Sequence, residues 1–181
     1  LFPFANLLEK LACFIVRDSK VGDAEEILDA RLMATPSIAL DQCKKVVTSM
    51  FEKTQNGVNT ACQMLTDFSD EKMESVLELE KKVDKYEDTL GTYLVQISRQ
   101  NLSEQDSREV SEILHIIGDV ERISDHSVSI AKSAKEINSK NLNFSSKAKD
   151  EIQIMIEATE EILKNAQAAF LDDDTEKAMT S

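Results

Sequence analysis

Apolar residues recur at threes and fours through most of the chain, and that rhythm predicts long amphipathic helices. The first long run, from about Pro36 to Asp67, carries Ala39, Val46, Val47, Met50, Phe51, Thr54, Val58, Ala61 and Leu65 on one stripe. Asn56 and Gly57 weaken its middle. The second, Glu71 to about Gln100, repeats Val76, Leu79, Val83, Tyr86, Leu90, Leu94 and Ile97. Its 3-4-3-4 spacing is the seam of an antiparallel bundle. The third, Glu104 to about Asn138, uses Val110, Ile113, Ile116 or Ile117, Val120, Ile123, Ser127 and Ile130. A fourth runs from Ser145 or Ser146 to about Leu171, with Ile152, Met155, Thr159, Ile162, Ala166 and Phe170 as its expected stripe.

Punctuation supports these limits. Thr35-Pro36 reads as an N-cap followed by proline at the first helical position. Ser69-Asp70 interrupts and recaps the chain, and Ser103 followed by Asp106 resembles a capping box with Asp in place of Glu. Short connections make neighbouring helices antiparallel. At ~1.5 Å per residue, helices of about thirty residues are about 45 Å long, so the bundle is elongated. The expected fold is therefore all-α: an antiparallel three-helix bundle of spectrin-like shape, plus a fourth helix and a short N-terminal helix.

The N-terminal stretch from Leu1 to Val16, LFPFANLLEKLACFIV, is apolar but too short to span a membrane, and Asn6, Glu9 and Lys10 interrupt it. Residues 24–34 suit a short helix or an extended arm. The expected organisation is an apolar segment and linker over 1–34, a three-helix bundle over 35–140, and the first helix of a further repeat over 141–181. The abrupt apolar start suggests a piece cut from a larger protein.

Composition agrees with helices. Gly (4) and Pro (2) are too scarce for the turns of a sandwich or barrel. The net charge of −13 repels nucleic acid, and no basic stripe with aromatics is present. Such acidity attracts cations, but it also serves ordinary solubility. Cys13, Cys43 and Cys62 are odd in number, widely spaced and without a CxxC, which predicts reduced, buried thiols rather than a disulfide framework or zinc–thiolate site.

The chemistry lies one step round from the core seam. Glu80 and Asp84 on the second helix, and Glu121 and Asp125 on the third, are i,i+4 pairs that each share a helix face. If the helices bring both pairs together, four carboxylates converge, repel and raise one another's pKa. A multivalent cation removes that cost, and iron, manganese, zinc or magnesium accept such oxygen-rich sites. Gly118, one turn before Glu121, removes bulk beside them. The same pairs also suit a solvated face, with Lys81 and Arg122 as surface ion partners. His126 reads as a surface or semi-buried residue, or as support for a ligand. Glu112 and His115 form a lone ExxH, whereas a di-iron oxidase needs two such motifs. Tyr86 and Tyr93 are expected in core or rim packing. Asp172 to Asp174 lack the spacing of a calcium loop. No P-loop, GxGxxG or nucleophile elbow occurs, so a non-enzymatic role is expected.

The segments ELEKKVDKYEDTL and IIGDVERISDHSVSIAK resemble the two signature helices of PhoU proteins, which carry an E(D)xxxD motif on each of two helices in every three-helix repeat. Glu121, Arg122, Asp125 and His126 form the more specific string. In that family these motifs hold iron clusters or other metals. The resemblance therefore implies Glu80, Asp84, Glu121 and Asp125 as ligands of a divalent or trivalent ion (iron, zinc, nickel or manganese), mononuclear or multinuclear, with Glu87, Asp88 and Asp119 as further candidates. LFPFANLLEKLACFIVRDS is similar to the exit of the last membrane segment of bacterial Na⁺/Pi cotransporters, and LDARLMATPSIALDQ to their linker into a fused PhoU-like tail. This implies a regulatory domain on the cytoplasmic side of the membrane, with its own transporter domain and metal ions as partners. The alternatives are an acidic helical interaction or dimerisation module, and a stand-alone PhoU-type regulator of phosphate signalling. An incomplete second repeat with an apolar fourth helix also predicts a homodimer.

Overall fold

The computed structural model describes residues 28–172. A 3-10 turn (Ala30–Ala34) precedes four helices: α1 (Pro36–Met64), α2 (Asp70–Ile97), α3 (Glu104–Ser139) and α4 (Ser146–Asp172). The expected apolar helix over 1–16 and the acidic run at 172–174 fall largely or wholly outside the described residues. Of the expected arm at 24–34, the described part is the 3-10 turn rather than an α-helix.

The caps explain the boundaries. Pro36 opens α1, but Thr35 precedes it without a side-chain capping bond, so proline's fixed φ makes the start. Ser69 Oγ accepts from the Lys72 amide at 3.1 Å. Ser103 and Asp106 form the reciprocal box, with the Asp106 amide donating to Ser103 Oγ at 3.0 Å. The Ser103 amide donates back to Asp106 Oδ2 at 3.4 Å, and the Ser103 hydroxyl donates to the same oxygen at 2.7 Å. At the end of α3, Asn141 takes a positive φ of 50°. The Asn141 amide donates to Asn138 O and the Leu142 amide to Ile137 O, a Schellman closure that uses asparagine where glycine is usual.

α1, α2 and α3 each pack against the other two. The main core joins the start of α1 to the end of α2 and the start of α3, through Leu40, Val47, Leu90, Leu94, Ile113 and Ile117. A second core at the far end joins Ala61 and Met64 to Val76 and to Val128, Ala131 and Ala134. Both pairings require α2 to run against α1 and α3, as the short loops predict. Between the two cores the residues become small and polar: Thr54, Ser124 and Ser127 are buried, and a Cβ on Gly57 would lie 3.4 Å from Ser127 Oγ. Gly57 therefore serves a close approach of α1 to α3, which offsets its helix penalty. Ser127 satisfies itself by donating to Ser124 O at 2.6 Å.

The linker is anchored at the main core. Leu28 is buried, Leu32 and Met33 pack on the same cluster, and the Tyr93 hydroxyl donates to Asp29 O at 2.8 Å. Tyr86 and Tyr93 are both buried, in keeping with their expected packing role. Cys43 and Cys62 are buried, free thiols; burial is the main cause pushing Cys43 up to about 12. Cys13 is outside the described residues.

α4 departs from the expected stripe. It lies on α1 through Leu163, which meets Val58 and Cys62, with Ile156 beside them, and through Phe170, whose ring centroid is 5.9 Å from that of Phe51. Met155 and Ile162, expected on the inner face, are exposed. α4 has two apolar stripes about a quarter-turn apart, and periodicity alone does not say which one finds a neighbour.

Candidate metal centre

Val83 and Tyr86 turn inward from α2, and Val120 and Ser124 turn inward from α3. Each inward residue fixes its neighbour in sequence one step round the helix, on the outer seam where α2 meets α3. Glu80 and Glu121 are thereby half-buried along this seam, while Asp84 and Asp125 lie exposed beside them.

The charges on the two helices act on one another. Burial is the largest influence raising the Glu80 carboxyl above its ordinary range, followed by Asp84 on its own helix and Asp125 across the seam; Lys81 and Lys132 oppose the rise. Glu121 is raised first by burial, then by Asp125, then by Asp84, Glu87 and Glu80 on α2. The four carboxylates from the two ExxxD pairs thus occupy one flank of the bundle, with Glu87 as a fifth member. Among the described residues, no three carboxylate, imidazole or thiol groups stand close enough in their present rotamers to share an ion. The donors suit a metal in other respects. They are oxygens only, two of the four are exposed side chains able to swing inward, and their mutual repulsion favours any cation that enters.

The other candidates separate from this group. Asp119 faces Arg122 at 3.4 Å in an exposed i,i+3 ion pair, so Arg122 serves Asp119 rather than the cluster. Asp88 lines shallow grooves toward Thr92 and Gln96 on α2. His115 and His126 are exposed. A Cβ on Gly118 or on Gly91 would meet nothing within 4 Å. Gly118 therefore leaves open space beside Glu121, and no packing contact within the described chain demands it. Lys132 was not among the residues singled out from sequence. It lies seven residues beyond Asp125, two turns along the same face of α3, and that spacing was the available signal.

Residues 47–134 match the family model of the PhoU domain. These residues form a PhoU domain. No curated protein and no solved structure gives a significant match. The PhoU segment runs from the second third of α1 to near the end of α3 and contains both ExxxD pairs whole. PhoU domains are in general regulatory rather than catalytic, and metal binding is known among them. Among the described residues no helix is long and apolar enough to cross a membrane.

The raised carboxyls have a consequence for pH. A glutamate whose folded pKa exceeds its unfolded value binds protons more tightly in the folded state, so its contribution is present at acid pH and is lost as pH rises through the folded pKa. In metal-free protein, acidifying from neutrality toward the window just above 4.5, the ordinary glutamate value, therefore relieves the α2–α3 repulsion. Glu121→Gln should raise the thermal midpoint at pH 7 and flatten its dependence on pH in that window. An unchanged midpoint and slope would mean that the seam carries no repulsion.

Proposed function

We propose that this PhoU domain is a metal-dependent regulator of phosphate uptake, fused to the cytoplasmic end of a sodium-dependent phosphate cotransporter. The observation that carries the metal part is the placement of Glu80 and Glu121, half-buried on facing helices, with Asp84 and Asp125 exposed beside them; burial and the neighbouring carboxylates both raise the two glutamates. The transporter part is supported by the resemblance of residues 1–19 to the exit segment, and of residues 28–42 to the linker, of Na⁺/Pi cotransporters.

Glu80, Asp84, Glu121 and Asp125 would hold the ion, whose positive charge would cancel their repulsion and pin α2 to α3. The protein's own residues supply the path outward. α2 carries the carboxylates in its middle and, near its end, Tyr93, which holds the linker through the Asp29 carbonyl. A change in how α2 sits against α3 is thus passed along one rigid helix to residues 28–34. In this reading the linker relays it toward the membrane part.

The test is phosphate uptake by cells carrying the full-length protein with Asp84→Asn and Asp125→Asn together. The proposal expects transporter present at normal levels but uptake that no longer responds to metal depletion. Uptake that responds as in the unaltered protein would contradict it. The second reading, an acidic interaction module without a metal, is favoured by the exposed apolar residues of α4.

A further inference from the structure

α4 buries one apolar stripe against α1 and leaves another in solvent. Ile154, Met155 and Ile162 are 66%, 70% and 53% exposed, and Ala158 and Ala166 beside them are also exposed. The exposed apolar area is on the order of 400 Å², the size of the largest patch on a typical monomer, which is often a contact surface. A standard interface covers about 800 Å² per partner, a little over half of it apolar, so this patch has the size of one interface core.

The composition of the ridge indicates the occupant. Ile154, Ala158, Ile162 and Ala166 form one i,i+4 row, large and small in alternation, with no charge in it. Laid against its own copy in antiparallel fashion, with a two-fold axis near residue 160, the row sets Ile154 opposite Ala166 and Ile162 opposite Ala158. Each large side chain meets a small one, so the surface is complementary to itself, as a two-fold contact requires. Two ion pairs form within α4, Lys147 with Glu151 at 3.7 Å and Lys164 with Glu160 at 4.0 Å. A basic partner would be drawn to the acidic α2–α3 seam, and α4 makes no contact with α2. On a chain of net charge −13, this neutral ridge is where a second copy meets least repulsion.

We infer that the outer ridge of α4, Ile154–Ala158–Ile162–Ala166, is a self-association surface that pairs two copies of this chain antiparallel about a two-fold axis. The test is sedimentation equilibrium of the 181-residue chain over a concentration series, with the fold checked by circular dichroism. The expected species has twice the 20.3 kDa chain mass. Ile162→Glu should weaken association by roughly a hundredfold or more without loss of helix content. Val95→Glu, at an exposed apolar position on α2, should leave it unchanged. Added salt should tighten the pair, because screening removes repulsion between two acidic chains while the apolar contact persists. A monomer at every concentration, a dimer indifferent to Ile162→Glu, or a dimer broken by Val95→Glu would each overturn the inference.

Discussion

Leu90→Ala should cost about 3–5 kcal/mol of unfolding free energy, read from a urea titration. Leu90 is fully buried on α2 in the cluster that joins α2 to α1 and α3. Truncation removes its transfer free energy and leaves a cavity that three long helices cannot easily close, because all three are also held at the second core. Domains of this size have about 5–15 kcal/mol in total, so the variant should sit near the edge of folding at 37 °C. Ile162→Ala is the control. That side chain is more than half exposed, and its loss should stay within about 0.5 kcal/mol when the chain is dilute enough to be monomeric. A cost at Leu90 below about 1 kcal/mol would mean that the main core is not packed as described.

The second large effect is linkage between metal and stability. An ion that binds only the folded state adds RT ln(1 + [L]/Kd), about 2.7 kcal/mol when the free ion is a hundred times Kd. Manganese(II), used as the probe, should therefore raise the thermal midpoint of the unaltered chain by several degrees. Asp84→Asn with Asp125→Asn should remove that rise. It should also make the metal-free protein more stable than its parent, because two charges leave a flank where the Glu80 and Glu121 carboxyls are raised by burial and then by their neighbours. The two shifts have opposite signs, which separates loss of a ligand from general damage. A double variant that is less stable without metal and still gains from it would contradict the account.

Much of the bundle was legible because local chemistry and global packing agree. The Val76–Val83–Tyr86–Leu90–Leu94–Ile97 row has a single apolar face, so its orientation follows from spacing alone. The Ser103–Asp106 box fixes the start of α3 from two residues. The carboxylate pairs were legible for the same reason: once Val83 and Val120 point inward, their neighbours must border the seam. Thr35 was expected to cap α1 with its side chain, yet proline alone supplies the start. α4 could not be oriented because both of its stripes are apolar, and the choice depends on Val58 and Cys62, about a hundred residues earlier in the chain. Asp119 was separated from the cluster by Arg122, a pairing that spacing permits but does not impose. Lys132 bears on Glu80 only because α2 and α3 run antiparallel in one particular register.

Elemental analysis after equilibrium dialysis against manganese(II) reads whether the seam between α2 and α3 holds a metal. Stoichiometric metal is expected in the unaltered chain, little in Asp84→Asn with Asp125→Asn, and full loading in Asp119→Asn, whose carboxylate is engaged by Arg122 outside the cluster. No bound metal in the unaltered chain, or equal metal in all three, would contradict a metal site there.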